Sequence, residues 1–242
     1  TSSGPKPDVT EADLAKLPPL VQTYLRRAGV VGRPRVLNMR LRLAGGLRSS
    51  HESSWMDMTA DQVTFFDQPT RIFLVDAARF GLPFQALHIY EGEAATMRVR
   101  IASLLEVVDA RGPEMNQSET VTMFNDMCLL APATLVDAPI VWTPEGDRTV
   151  SASFSNAGNT IRAMLTFDAA GDLVSFVSDD RYQSADGKKY EKFPWVTPVS
   201  DYRDFGVVRI GNGGEAIWKE PSGDFPYARM KIESIEYNVS NR

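Results

Sequence analysis

Little in this sequence announces a chemistry. A single cysteine, Cys128, stands among 242 residues, so no disulfide can form within the chain and oxidative stapling is excluded as a source of stability. With only two histidines, His51 and His88, zinc sites of the cysteine-rich or histidine-rich kind are excluded too. A carboxylate-only metal site is all that remains, and neither metal nor cofactor is expected. No apolar run reaches the length of a membrane-spanning helix. Basic clusters are missing, and the net charge is −5 with a pI near 5.2. Phosphate neutralisation by Lys and Arg therefore has no footing, and nucleic acid is a poor partner. The chain also lacks a GxSxG elbow, a Walker loop, a GxGxxG between strand and helix, and an HExxH pair.

What the chain does have is ordinary globular material, with 43% hydrophobic and 24% charged residues. Residues 1–9 are small, polar and Pro-rich and read as a flexible lead-in; 10–242 reads as one domain. Thr10 and Asp13 have capping spacing, and Pro19 suits the first turn of a helix that Gly29 would end. From residue 36 the period changes to two. Leu37, Met39, Leu41 and Leu43 alternate with Asn38, Arg40 and Arg42, giving a strand with one wet face that Gly45-Gly46 is expected to break. LRSSHESSWMDM reads as an exposed or edge strand, followed by strands in QVTFFDQ and TRIFLVDA. A hairpin is expected at Glu91-Gly92-Glu93, and further hairpin turns at Asn156 to Asn159, Ala169 to Asp172 and Asp186-Gly187. Asn212-Gly213-Gly214 reads as a turn between two strands, and a β-bulge near Ser234 would reconcile the two parities of the last run. With no βαβ alternation, ten to twelve strands and two or three helices indicate an α+β protein: a large curved antiparallel sheet, a half-open barrel, with helices packed on its concave side.

The stretch ETVTMFNDMCLLAP at 119–132 is the least bland. Val121, Phe124, Cys128, Ala131 and Leu135 form a helical apolar stripe, with Asn125 beside it and Glu119, Thr122 and Asp126 on the opposite face. Cys128 is either a small core residue or a thiol nucleophile paired with His88. Glu119, Asp126, Asp180, Arg181 and His88 are the candidate acid–base set. Carboxylates held near one another separate in pKa, and an arginine beside them can clamp an anion or neutralise them. The structural alternative is a buried salt bridge with helix-to-sheet hydrogen bonds. The aromatic and methionine content suggests an apolar lining that could instead be plain core. Its candidate ligand-binding members are Asn125, Trp142, Trp195, Tyr202, Tyr90, Met97 and Met123.

The run ETVTMFNDMCLLAP, then SDDRY, then WVTP with Tyr202 and a closing IEYN, resembles an uncharacterised bacterial family known by sequence and not by activity. The positions that carry the likeness are Glu119, Asn125, Asp126, Cys128, Pro132, Asp180, Arg181, Trp195, Pro198 and Tyr202. The resemblance transfers no role to them. It implies that an N-terminal membrane anchor, common in members, could precede the start TSSGPKPDV. The architecture looks similar to the lipoprotein-carrier (LolA/LolB-like) fold, whose members bind acyl chains on a concave apolar face.

Two functions are therefore expected in competition. One is binding of a hydrophobic or amphipathic small molecule in an apolar cavity between sheet and helices. The other is acid–base chemistry of the lyase, isomerase or hydrolase kind on a small hydrophobic substrate, with the carboxylates and arginine at the cavity mouth. Compartment and oligomeric state stay open.

Overall fold

A computed structural model describes residues 7–79, 81–102 and 104–240. Two short helices, α1 (Glu11–Leu14) and α2 (Pro19–Arg27), open the chain. Six strands follow: β1 (Asn38–Leu47), β2 (Met56–Phe65), β3 (Thr70–Arg79), β4 (Leu82–Glu91), β5 (Ala94–Ile101) and β6 (Leu105–Arg111). The long helix α3 (Pro113–Leu129) and a 3-10 turn (Pro132–Val136) separate these from the second set. That set comprises β7 (Ile140–Pro144), β8 (Thr149–Asn156), β9 (Asn159–Phe167), β10 (Leu173–Ser178), β11 (Tyr182–Gln183), β12 (Glu191–Lys192), β13 (Trp195–Asp204), β14 (Arg209–Glu220) and β15 (Gly223–Tyr237).

Thirteen of these strands make one antiparallel sheet in the order β6-β5-β4-β3-β2-β1-β15-β14-β13-β10-β9-β8-β7. β11 and β12 form a separate ribbon at the expected Asp186-Gly187 turn. The sheet does not close, since its two edges are β6 and β7. The chain leaves one edge, passes through α3 and enters the other, so α3 spans the opening. Curvature is measurable from one contact. Tyr90 on β4 and Asn156 at the end of β8 stand nine strand steps apart in the order, roughly 40 Å in a flat sheet. Yet Asn156 Nδ2 donates to the Tyr90 hydroxyl at 2.6 Å.

Strand alternation sets the two faces. Met39, Leu41 and Leu43 point inward and are buried, as their parity predicts, but Leu37, expected on the same face, lies just before β1 and is exposed. The expected bulge is present: Arg42 faces Ser234 and Leu43 faces Ile232, leaving Glu233 extra. The glycine expectations fail in an instructive way. Gly45-Gly46 does not break β1, and Asn212-Gly213-Gly214 is no turn but the middle of β14. A Cβ on Gly45 would sit 1.9 Å from the Arg229 carbonyl oxygen, and one on Gly211 would sit 2.1 Å from Val199 Cγ1. These glycines allow strands to approach closely. LRSSHESSWMDM is likewise not an edge strand. Residues 48–55 form a loop, and Met56–Met58 run on through 59–61 into part of QVTFFDQ as β2 (Met56–Phe65), deep within the sheet.

The lead-in is packed sooner than composition suggests. Val9 is buried and exchanges hydrogen bonds with the 32–33 turn, so order begins before residue 10. Thr10 and Asp13 form the expected capping box. α2 is clamped to the sheet by Asp172, whose carboxylate accepts paired bonds from Arg27 (2.7 and 2.8 Å) and Arg209 (2.7 and 2.8 Å). The bonds from Arg209 and Arg27 hold its carboxyl well below the usual range. A depressed folded pKa gives stability that is fully present above the ordinary carboxylate value near 4 and lost as pH falls below it. Asp172→Asn should therefore lose about 2 kcal/mol at pH 7. Urea titrations of the two proteins should converge as the pH drops below 4; a gap that stays constant with pH would show that charge is not what Asp172 contributes.

Candidate functional site

α3 begins at Pro113 behind Gly112, whose φ of +108° suits glycine, six residues before the start expected from the apolar stripe. It ends at Leu129, so Ala131 and Leu135 lie beyond it. The expectation of one buried face and one polar face also fails. Every residue from Ser118 to Cys128 is buried, because the helix lies inside the trough with sheet on both flanks. Its buried hydroxyls are satisfied locally: Thr120 Oγ1 donates to the Asn116 carbonyl and Thr122 Oγ1 to that of Ser118.

One flank is aromatic. Phe124 stacks on Phe154 with centroids 5.1 Å apart and meets Phe176 at 5.8 Å and Trp142 at 6.4 Å. Trp195 follows Phe176 at 6.3 Å, and Asn125 Nδ2 donates to Thr197 Oγ1 at 2.7 Å. Arg181 lies over Trp195 (4.5 Å) and Trp218 (5.2 Å), and its Nε donates to Thr122 Oγ1 at 3.3 Å.

The other flank is polar and centres on Arg71 of β3. Arg71 is 5% exposed. Its Nε donates to Asp126 Oδ2 at 2.8 Å, Nη1 to Glu119 Oε2 at 3.3 Å, and Nη2 to Gln62 Oε1 at 3.1 Å. Gln62 Nε2 donates to Asp126 Oδ2 at 2.7 Å, and the Arg71 guanidinium covers Phe73 at 4.5 Å. His88 Nδ1 stands 3.6 Å from Glu119 Oε1, beyond hydrogen-bond reach. These two buried atoms have no hydrogen-bond partner among the described residues. Tyr90 and Thr120 close this flank with a 2.9 Å bond between hydroxyls, and Met97 lies across the strands from His88.

The two carboxyls are driven apart. Burial pushes Glu119 up, but His88, Arg71 and Arg181 outweigh it and hold it down to about 2. Burial dominates at Asp126 and raises it, against the pull of Arg71 and Gln62. Burial also pushes the Cys128 thiol far up, so it stays protonated and behaves as a core residue.

Of the residues singled out from sequence, Glu119, Asp126, His88, Tyr90, Met97 and Met123 share the trough, with Arg181 within electrostatic range of Glu119. Asn125, Trp142 and Trp195 line its aromatic flank. The acids lie deep and not at a mouth. Asp180 is elsewhere: its carboxylate accepts from the Arg162 backbone at 2.8 Å and meets Lys192 at 3.4 Å. Tyr202 belongs to the Asp172 clamp, with its hydroxyl on the Leu173 carbonyl and Arg209 over its ring. Arg71 and Gln62 are the participants missed. Gln62 shares the parity of buried Met58 and Ala60 and was legible on that ground. Two cavities, of about 620 and 270 Å³, take no lining residue from α3.

Residues 7–230 match the family described as a family of unknown function, DUF6544. The chain belongs to the DUF6544 family. Among curated proteins, none matches this family member in sequence. Among solved structures, a LolA superfamily protein from Nitrosomonas europaea aligns with a TM-score of 0.50 at 9% identity, over 91% of this chain and 94% of that one. A Vibrio parahaemolyticus domain ascribed to outer membrane lipoprotein sorting reaches 0.49 at 9% identity, over 85% and 87%. A DUF1329 family protein from Desulfovibrio piger reaches 0.45 at 11% identity, over 98% and 96%. At these identities the likeness concerns fold alone, and the Nitrosomonas protein gives this DUF6544 member the same open-barrel architecture.

Proposed function

We propose that this DUF6544 protein binds an amphipathic small molecule in the trough between α3 and the sheet, with the polar end at Glu119 and His88. The observation that carries the reading is the facing pair of buried atoms, Glu119 Oε1 and His88 Nδ1, 3.6 Å apart and each without a hydrogen bond, beside the Arg71 cluster. A buried polar atom without a partner costs free energy. A hydroxyl or amide head would relieve both, donating to Glu119 and pairing with His88 Nδ1. The tail would lie against Met97, Met115, Met123 and Met127, side chains that repack readily. α3 fills the trough here, so loading requires those methionines and α3 to yield. The lipoprotein-carrier likeness agrees with this reading without carrying it.

Decanol and decane separate head from tail. Decanol should raise the Tm by several degrees and decane by less. His88→Phe should remove the difference, each shift being measured from the variant's own Tm without ligand. No shift with decanol, or an equal shift in the variant, would overturn the reading.

The acid–base alternative draws less support. Three of its members converge, but a carboxyl held at about 2 is a weak base at neutral pH, and Asp180 lies outside the group.

A further inference from the structure

The larger cavity, about 620 Å³, opens among β1, β13, β14 and β15, within the size range of small-molecule sites. Its floor is nearly bare. The register sets Ala44, Lys231, Gly213 and Ser200 in one row, with Arg229 and Glu215 paired in the next. Lys231, Arg229, Glu215 and Ser200 are exposed, so these rows belong to the outer face, opposite the trough.

Two observations argue that this floor is kept bare for a ligand. Gly213 is not demanded by the fold. A Cβ there would meet the Ser200 hydroxyl at 3.3 Å, with Asp201 Cβ and the Ser200 carbonyl oxygen at 3.9 Å, and its φ is not left-handed. Glycine inside a strand weakens it and gives up packing, so the absent side chain serves the space it leaves. The walls are cationic as well. Among the described residues neither Arg229 nor Lys231 has an ion-pair partner; Arg229 lies over the Trp55 ring at 4.5 Å, and Lys231 feels Asp201, which is itself tied to Arg203 and Asn212. Glu215 lowers the local surplus to one positive charge.

We propose that this outer cavity is a second binding site, for an organic monoanion with an apolar body, its acid group between Lys231 and Arg229 and its body on the floor at Ala44 and Gly213. The site is independent of the trough. Sodium decanoate below its micellar concentration is the probe, followed by calorimetry and tryptophan fluorescence on the whole chain. Gly213→Val fills the floor with a residue that suits strands, and a double variant, Arg229→Gln with Lys231→Gln, removes the charge. Each should weaken binding about tenfold or more, as expected for a lost charge-assisted contact. Trp55→Phe should abolish the fluorescence change but keep the heat. His88→Phe, in the trough, should bind decanoate as wild type does. Unchanged affinity in the first two variants would overturn the site. So would loss in His88→Phe, which would place decanoate in the trough, or equal binding of inorganic phosphate, which would mean an adventitious ion only.

Discussion

Replacing Arg71 with methionine is expected to remove about 3–5 kcal/mol of stability, because it strands two buried carboxylates on α3 without their cation. The pH dependence identifies the cause. In the wild type, Glu119 has a folded pKa of about 2 against an ordinary 4.5. Its contribution is complete above 4.5 and is lost as the pH falls toward 2. Asp126, raised, opposes this in part. Without Arg71 the burial penalty at Asp126 loses its main opponent and its folded pKa rises further, while Glu119, left with His88 and Arg181, rises from its depressed value. Arg71→Met should therefore gain stability relative to the wild type as pH drops from 7 to 5. Changing Arg71, Glu119 and Asp126 together to Met, Gln and Leu should recover most of the loss, since an apolar replacement of a complete buried ion pair is often neutral. Urea titrations at pH 7 and 5 measure all three. A loss below about 1 kcal/mol in Arg71→Met, or the same pH slope as the wild type, would show that the cluster does not hold α3 against β2 and β3.

Arg71 also marks where the sequence was hard to read. TRIFLVDA is apolar on both parities, because Ile72 and Leu74 face outward while Phe73 and Val75 face in. Alternation therefore could not say that Arg71 points inward. β1 was legible because its outward positions are Arg40 and Arg42. Glu119 and Asp126 were visible as charges within an apolar helix, but their depth was not, since an amphipathic pattern is the usual sign of a helix with one wet side. α3 has none because the sheet wraps around it, and that is a tertiary fact. The mid-strand glycines misled for a similar reason: nothing local distinguishes a glycine that turns the chain from one that lets a neighbouring strand approach. Asp180 and Arg181 show the limit of adjacency. Consecutive residues at a strand end point to opposite sides, so Arg181 reaches Trp195 while Asp180 turns to Arg162.

Phe124→Ala should produce the other large effect, and it tests whether the trough can accept apolar matter. Phe124 is completely buried and is the residue of α3 that meets three rings of the sheet at once. Truncating it removes the transfer free energy of a benzyl group and leaves a void, together about 3–5 kcal/mol. How much of that void survives depends on whether α3 can settle inward. On the opposite flank Arg71 ties Asp126 and Glu119 to β3, and at its end the Tyr24 hydroxyl holds the Cys128 carbonyl at 2.8 Å. With both fastenings intact the helix cannot follow the missing ring, and the void persists as a dry apolar cavity. Such cavities accept small aromatic molecules. Toluene should therefore raise the Tm of Phe124→Ala while leaving the wild type unmoved. Adding Arg71→Met to Phe124→Ala should then cost less than the two single losses combined, because a released helix can close the void. Additive losses, with no response to toluene, would mean that α3 repacks freely without those ties, and the polar cluster would lose its place as the fastening of the trough.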